Sequence, residues 1–236
     1  MMHGTPPPGQ SMDGSRIRAA EETILALRRA EARTIAFAAP EPVSGTSAFA
    51  ALAASVLARS GQPTLLLDIS KGVQETPVEA AWAPGREEPK IVIASPQNDF
   101  ARLTVQADPD VRFLFDNTLW FRRVLDNDLA SYDTIVLDLA PLFERPADTV
   151  NPFAVAAACD ALVLVCRRGT VAKEKLRNAV DMARATGGKP FGIVMTQGGY
   201  VSAGEEIART LRRMFFFAPW LGKRIGRKAT ASGILG

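Results

Sequence analysis

Six short, mostly apolar runs, separated for the most part by segments of helical length, constrain the fold of this chain more than any other feature. The runs cover 34–39, 64–69, 91–94, 134–139, 161–166 and 191–196. Each has strand length and is rich in Val, Ile and Leu, without the in–out alternation of a half-exposed sheet. Such runs predict strands covered on both faces. Helical patterns are expected over 16–33, 47–60, 117–126, 152–158, 171–186 and 204–216. Strand and helix in alternation predict a doubly wound, mostly parallel α/β sheet. A chain of 236 residues is long enough to bury one large core. A single domain is expected over 15–217, between a disordered tail of 1–14 and a basic tail of 218–236. Ligands of such sheets sit outside the carboxyl ends of the strands.

The first run leads into Pro40-Glu-Pro-Val-Ser-Gly-Thr-Ser47 and then a helix. Strand, turn and helix in this order is the setting of a phosphate-binding P-loop. A working loop ends Gly-Lys-Ser/Thr: backbone N–H groups cradle phosphate, the lysine reaches the β/γ oxygens and the hydroxyl holds Mg²⁺. Here the triplet is Gly45-Thr46-Ser47, so glycine and hydroxyl remain and threonine replaces lysine. Ser44, Gly45, Thr46 and Ser47 are the candidate residues for ATP or ADP. Ser47, Asp68 and Asp138 are the candidate Mg²⁺ ligands, and the two aspartates are the catalytic candidates if the chain is an enzyme. Each also has a structural reading. The hydroxyls of Thr46 and Ser47 can cap the following helix, and a carboxylate at a strand end can cap a nearby loop. Losing one electrostatic donor typically costs on the order of 100- to 1000-fold in rate. Loss of the lysine therefore argues against useful phosphoryl transfer.

Composition narrows the class further. Cys159 and Cys166 flank an apolar run without metal-ligand or redox spacing, which predicts core packing in a reducing compartment. The single histidine, His3, lies in a Pro- and Gly-rich tail, so no His/Cys metal cluster is expected. No run of about 20 apolar residues suits a membrane span, and the first apolar stretch follows a polar leader unlike a signal peptide. A cytoplasmic protein is expected. The net charge of +3 is uneven: residues 201–236 carry +5, leaving the rest near −2.

Several segments together resemble the bacterial tyrosine kinases that partner polysaccharide co-polymerases, within the MinD/ParA group of P-loop ATPases. Pro42 through Gly61 and then Thr64-Leu-Leu-Leu-Asp68 are similar to that family's deviant Walker A loop, first helix and second strand. Tyr132-Asp-Thr-Ile-Val-Leu-Asp138 is similar to its Walker B segment, and 159–170 and 187–196 to the strands after it. The resemblance makes Asp68 the Walker A′ aspartate, Asp138 the Walker B aspartate and Ser47 the metal-facing hydroxyl. The departures are specific. Thr46 replaces the lysine, Val43 a loop glycine, Ser70 the second A′ aspartate, and Thr196 an asparagine that reads adenine. The tyrosine-rich C-terminus is missing, with Tyr132 and Tyr200 the only tyrosines. Glu22-Thr-Ile-Leu-Ala-Leu-Arg28 keeps only the ends of the ring-forming Glu-x-x-Arg-x-x-Arg pattern.

The resemblance implies a degenerate, non-catalytic relative that binds the cytoplasmic part of an inner-membrane polysaccharide co-polymerase in exopolysaccharide or capsule synthesis or export. Oligomerisation is compatible with it. The alternatives are an active ATPase or tyrosine kinase with an unusual loop, borrowing a lysine such as Lys71, and a MinD-like positioning ATPase on the membrane. The tail bears on the last of these. Arg212, Arg213, Phe215, Phe216, Trp220, Lys223 and Arg224 mix rings and basic groups as a segment at an anionic membrane surface or a protein partner would. The alternative is that the rings close the last helix onto the sheet and the basic groups are solvated. The basic stretch is short and lacks a recognition motif, so no nucleic-acid partner is expected.

Overall fold

The structure is a computed structural model that describes residues 10–42, 44–71, 81–82, 84, 92–93, 100–105, 112–145 and 147–196. The element order is α1 (Gln10–Arg29), β1 (Thr34–Ala38), α2 (Thr46–Arg59), β2 (Thr64–Ile69), β3 (Ala81–Trp82), β4 (Val92–Ile93) and β5 (Ala101–Val105). There follow a 3-10 turn (Phe113–Asp116), α3 (Thr118–Asn127), β6 (Thr134–Leu139), α4 (Pro152–Ala157), β7 (Ala161–Arg167), α5 (Lys173–Ala185) and β8 (Pro190–Thr196). The strands run β3-β5-β2-β6-β1-β7-β8 across the sheet, and β4 also pairs with β5. Every pair along that path is parallel, and only β4 is antiparallel to its partner. The expected doubly wound sheet is therefore present, as a single α/β domain with β6 at the middle of that path and β1 and β2 on either side of it.

Alternation along the strands sorts the core into two layers. Ala36, Ala38, Leu65, Leu67, Ile135, Leu137, Leu162 and Leu164 face one way, into the cluster that holds Phe115, Phe121 and Leu125. Phe37, Leu66, Val136 and Val163 face the other way, towards α2. There Phe37 and Phe49 meet with ring centroids 5.6 Å apart. Helix α2 buries Phe49, Ala50, Ala53, Ala54 and Leu57, spaced to form one face. Its small residues let the helix lie close to the sheet. Burying Phe49 contributes roughly 1.5–3 kcal/mol. By the same alternation Asp68 and Asp138 belong to the α2 face.

Some boundaries differ from those expected. Helix α1 ends at Arg29, not at 33, because Glu31 takes a left-handed φ of 53° and the Ala32 N–H turns back to Leu27 O at 3.2 Å. Strand β5 was not expected at all, because Ala-Arg-Leu-Thr-Val mixes polar and apolar residues. It pairs in parallel with β2 on the side away from β6, and the 91–94 run supplies only a short antiparallel partner, β4, to it. Cys159 and Cys166 are free and buried, as core packing requires. Burial pushes both thiols up, Cys166 to about 11. The expected helix at 204–216 and the tail residues Arg212, Arg213, Phe215, Phe216, Trp220, Lys223 and Arg224 lie outside the described residues, as does Val43. No helix among the described residues is long and apolar enough to cross a membrane.

Candidate functional site

Parallel pairing brings the two aspartates together. Asp68 and Asp138 are direct partners in the β2–β6 register, so their side chains leave the sheet on the same face, side by side. Both are buried, with 1% and 3% exposure. Burial pushes Asp138 up to about 7, and the charge of Asp68 pushes the same way. The hydroxyls of Ser47 and Ser70 and the charge of Arg102 pull it down, by less. The presence of Ser47 among these groups ties the first turn of α2 to the aspartates. Three elements thus converge on the predicted Ser47, Asp68 and Asp138.

Sequence reasoning missed Arg102. It lies on β5 opposite Leu66, one strand-repeat back from Asp68 on the same face. Two residues along a strand span about 6.6 Å, a distance an extended arginine covers. Its Nη2 donates to Asp68 Oδ2 at 2.6 Å. The other oxygen, Oδ1, accepts from the Ser70 N–H at 3.2 Å and the Ser70 hydroxyl at 2.7 Å. Asp68 therefore does cap the turn after its strand, and it is an ion-pair partner as well. Two polar atoms in this cluster are buried without a hydrogen-bond partner, Arg102 Nε and Asp138 Oδ1. The signal available in the sequence was a lone arginine inside a five-residue β-compatible stretch beside the second strand.

The loop itself is held by protein contacts on several sides. Gly45 stands before α2 in the left-handed region at φ 81° and is the residue that caps the helix, with no side-chain cap. Thr46 and Ser47 are inside the first turn, so neither is the cap. The Thr46 hydroxyl is buried and lies 2.6 Å from the Ser44 hydroxyl. The Thr196 hydroxyl donates to Ser44 O at 2.9 Å, with Cys166 O as a second acceptor at 3.3 Å. Thr196 thus ties the loop to the end of β8. On the other flank the Leu142 N–H donates to Ala39 O at 2.7 Å. The Lys175 ammonium from α5 bridges Glu41 at 2.8 Å and Glu144 at 2.5 Å. The hydrogen bond to Glu144 and then that to Glu41 hold this lysine in its charged form.

A hydroxyl and two carboxylates are the right ligand types for a hard, oxygen-bound cation such as Mg²⁺. The full donor set nevertheless does not fit one. A guanidinium already occupies Asp68 Oδ2, and Ser70 donors occupy Oδ1. Among the described residues no group of three or more His, Cys, Asp or Glu side chains converges to hold a metal.

No protein-family model matches the chain, and no curated protein matches its sequence. Solved structures do match. The kinase domain of the Escherichia coli tyrosine kinase ETK superposes with a TM-score of 0.64 at 19% identity, covering 85% of this chain and 86% of that one. The VpsO kinase domain gives 0.65 at 18% identity, with 79% and 96% covered. The MinC:MinD cell division protein complex of Aquifex aeolicus gives 0.54 at 12% identity, with 76% and 72% covered. The chain therefore has the fold of the bacterial tyrosine kinase domains and of the MinD/ParA-type P-loop proteins.

Proposed function

We propose that this chain is a non-catalytic relative of the bacterial tyrosine kinases that acts as a protein partner. The observation that carries this reading is Thr46: where phosphoryl transfer needs a lysine, the chain has a buried hydroxyl engaged with Ser44. Phosphoryl transfer is almost entirely positioning and electrostatic stabilisation, and a threonine supplies no charge. The N–H groups at the start of α2 still favour an anion, so loss of catalysis does not require loss of ATP or ADP binding. The likeness to tyrosine kinase domains then supports one role: binding the cytoplasmic part of an inner-membrane polysaccharide co-polymerase, in exopolysaccharide or capsule synthesis or export. In that role the protein is cytoplasmic and peripheral to the membrane, with the basic, aromatic tail residues as the contact.

Calorimetry with ATP and ADP, with and without Mg²⁺, and a phosphate-release assay test the catalytic half. No release above background is expected. Mg²⁺-dependent release that disappears in Asp138→Ala would sink the reading. Pull-down with the cytoplasmic segments of a co-polymerase tests the partner half. Capture of the full chain, and its loss on truncation at Val201, are expected.

A further inference from the structure

We infer that Arg102 is the built-in cation of the Asp68–Asp138 pair and excludes a divalent ion from it. The inference deepens the non-catalytic reading of the same site, and rests on it only in taking the two aspartates as the site's acidic pair.

Three observations carry it. The first is placement. The β2–β5 and β2–β6 registers put Arg102, Asp68 and Asp138 on one face of three adjacent strands. The second is the contact. Nη2 lies 2.6 Å from Asp68 Oδ2, and the aspartate is buried while the arginine is 41% exposed. A partly exposed guanidinium thus holds the oxygen of a buried carboxylate that a cation would need. An arginine is charged at every pH the protein meets, so its repulsion of a second cation is permanent. The third is what the arginine leaves over. Asp138 Oδ1 is buried and accepts no hydrogen bond. If Arg102 is removed, Asp68 Oδ2 is released beside it, with the Ser47 and Ser70 hydroxyls close by. That set is oxygen-only and suits a hard cation. The wild-type chain therefore contains the ligands of a metal site and a residue that closes it.

The test uses the full-length protein and Mn²⁺ alone as the probe, with free Mn²⁺ followed by electron paramagnetic resonance. Arg102→Gln removes the charge and keeps a donor for Asp68. It is expected to bind Mn²⁺ about tenfold or more tightly than wild type. The gain should vanish in Arg102→Gln combined with Asp138→Asn. Arg102→Lys retains a cation and should show no gain. Circular dichroism checks that each variant is folded. A folded Arg102→Gln protein with no gain overturns the inference. So does wild-type Mn²⁺ binding that Asp138→Asn abolishes, and this second measurement needs no Arg102 variant. Asp138-dependent Mn²⁺ binding by a wild type that releases no phosphate overturns the role of Arg102 and leaves the non-catalytic reading standing, so the failure of the inference is distinguishable from the failure of that reading.

Discussion

At the scale of single residues, Asp138 couples the site to stability. Its folded-state value near 7 stands above the value of about 3.9 expected in the unfolded chain. Between those values the native protein holds a proton that the unfolded chain has released. Raising pH through that window therefore destabilises the fold, by an amount on the order of 2–4 kcal/mol. Asp138→Asn cannot ionise. Its stability relative to wild type should be close to zero near pH 4 and should rise to about 2 kcal/mol or more by pH 8, measured by urea melts at several pH values. An advantage that does not change with pH would show that Arg102, Ser47 and Ser70 outweigh burial and the charge of Asp68 and hold Asp138 as a normal carboxylate. Gly45 offers a simpler case. A Cβ there meets nothing within 4 Å, so Gly45→Ala pays only for its φ of 81°. A loss of about 1–2 kcal/mol in the same melts is expected.

At the scale of elements, the loop before α2 depends on α5. Lys175 reaches from the first turn of α5 to Glu41 in that loop and to Glu144 after β6. The two loops are also joined directly, by Leu142 N–H to Ala39 O and Phe143 N–H to Pro40 O. Removing the lysine leaves these backbone bonds with less to hold them shut. In Lys175→Ala, amide hydrogen exchange at Leu142 and Phe143 should quicken, while Phe37 inside β1 keeps its protection. Equal protection in both proteins would mean the loops are closed by their backbone alone. The elements also show how far sequence reading reaches. Runs such as 64–69 and 134–139 were legible with their ends, because a strand covered on both faces carries three consecutive Leu, Ile or Val residues at its middle instead of alternating. Strand β5 was not legible. It lies outside β2 in the sheet order and carries Arg102 and Thr104, so it breaks the apolar pattern that marks the others. Arg102 was missed with it. Asp68 and Asp138 were found because each is a carboxylate one residue before the end of an apolar run, but their in-register pairing is a property of the sheet order, which no local pattern contains.

At the scale of the whole domain, the two ends of the sheet are satisfied very differently. The carboxyl end holds the buried pair with its unpartnered Asp138 Oδ1 and Arg102 Nε. The amino end is closely bonded. Asp160 accepts from the Arg33 and Thr34 N–H groups at 3.1 and 2.9 Å and from the Thr34 hydroxyl at 2.9 Å, all on Oδ2. Its Oδ1 accepts from Arg122 at 2.7 Å. The Arg33 guanidinium in turn donates to the carbonyls of Leu125, Leu129 and Tyr132, which locks the end of α3 to the start of β1. Burial alone would raise the Asp160 carboxyl, but the hydrogen bonds from Arg122 and Thr34 outweigh it and the net shift is downward. Asp160 therefore has the opposite sign to Asp138. It contributes stability at pH values above the unfolded carboxylate range, and that contribution is lost as pH falls below about 4. Asp160→Ala should cost roughly 2–3 kcal/mol at pH 7, since it strands several part-buried donors. The deficit should shrink towards pH 3, and Asp160→Asn should recover part of it by keeping an acceptor. Asp138→Asn at the opposite end should stabilise at pH 8 under the same conditions. Opposite signs at the two ends would place the domain's stability in its amino-end bonds and its unspent polarity in the candidate site, as expected of a binding surface that a rigid scaffold holds in place.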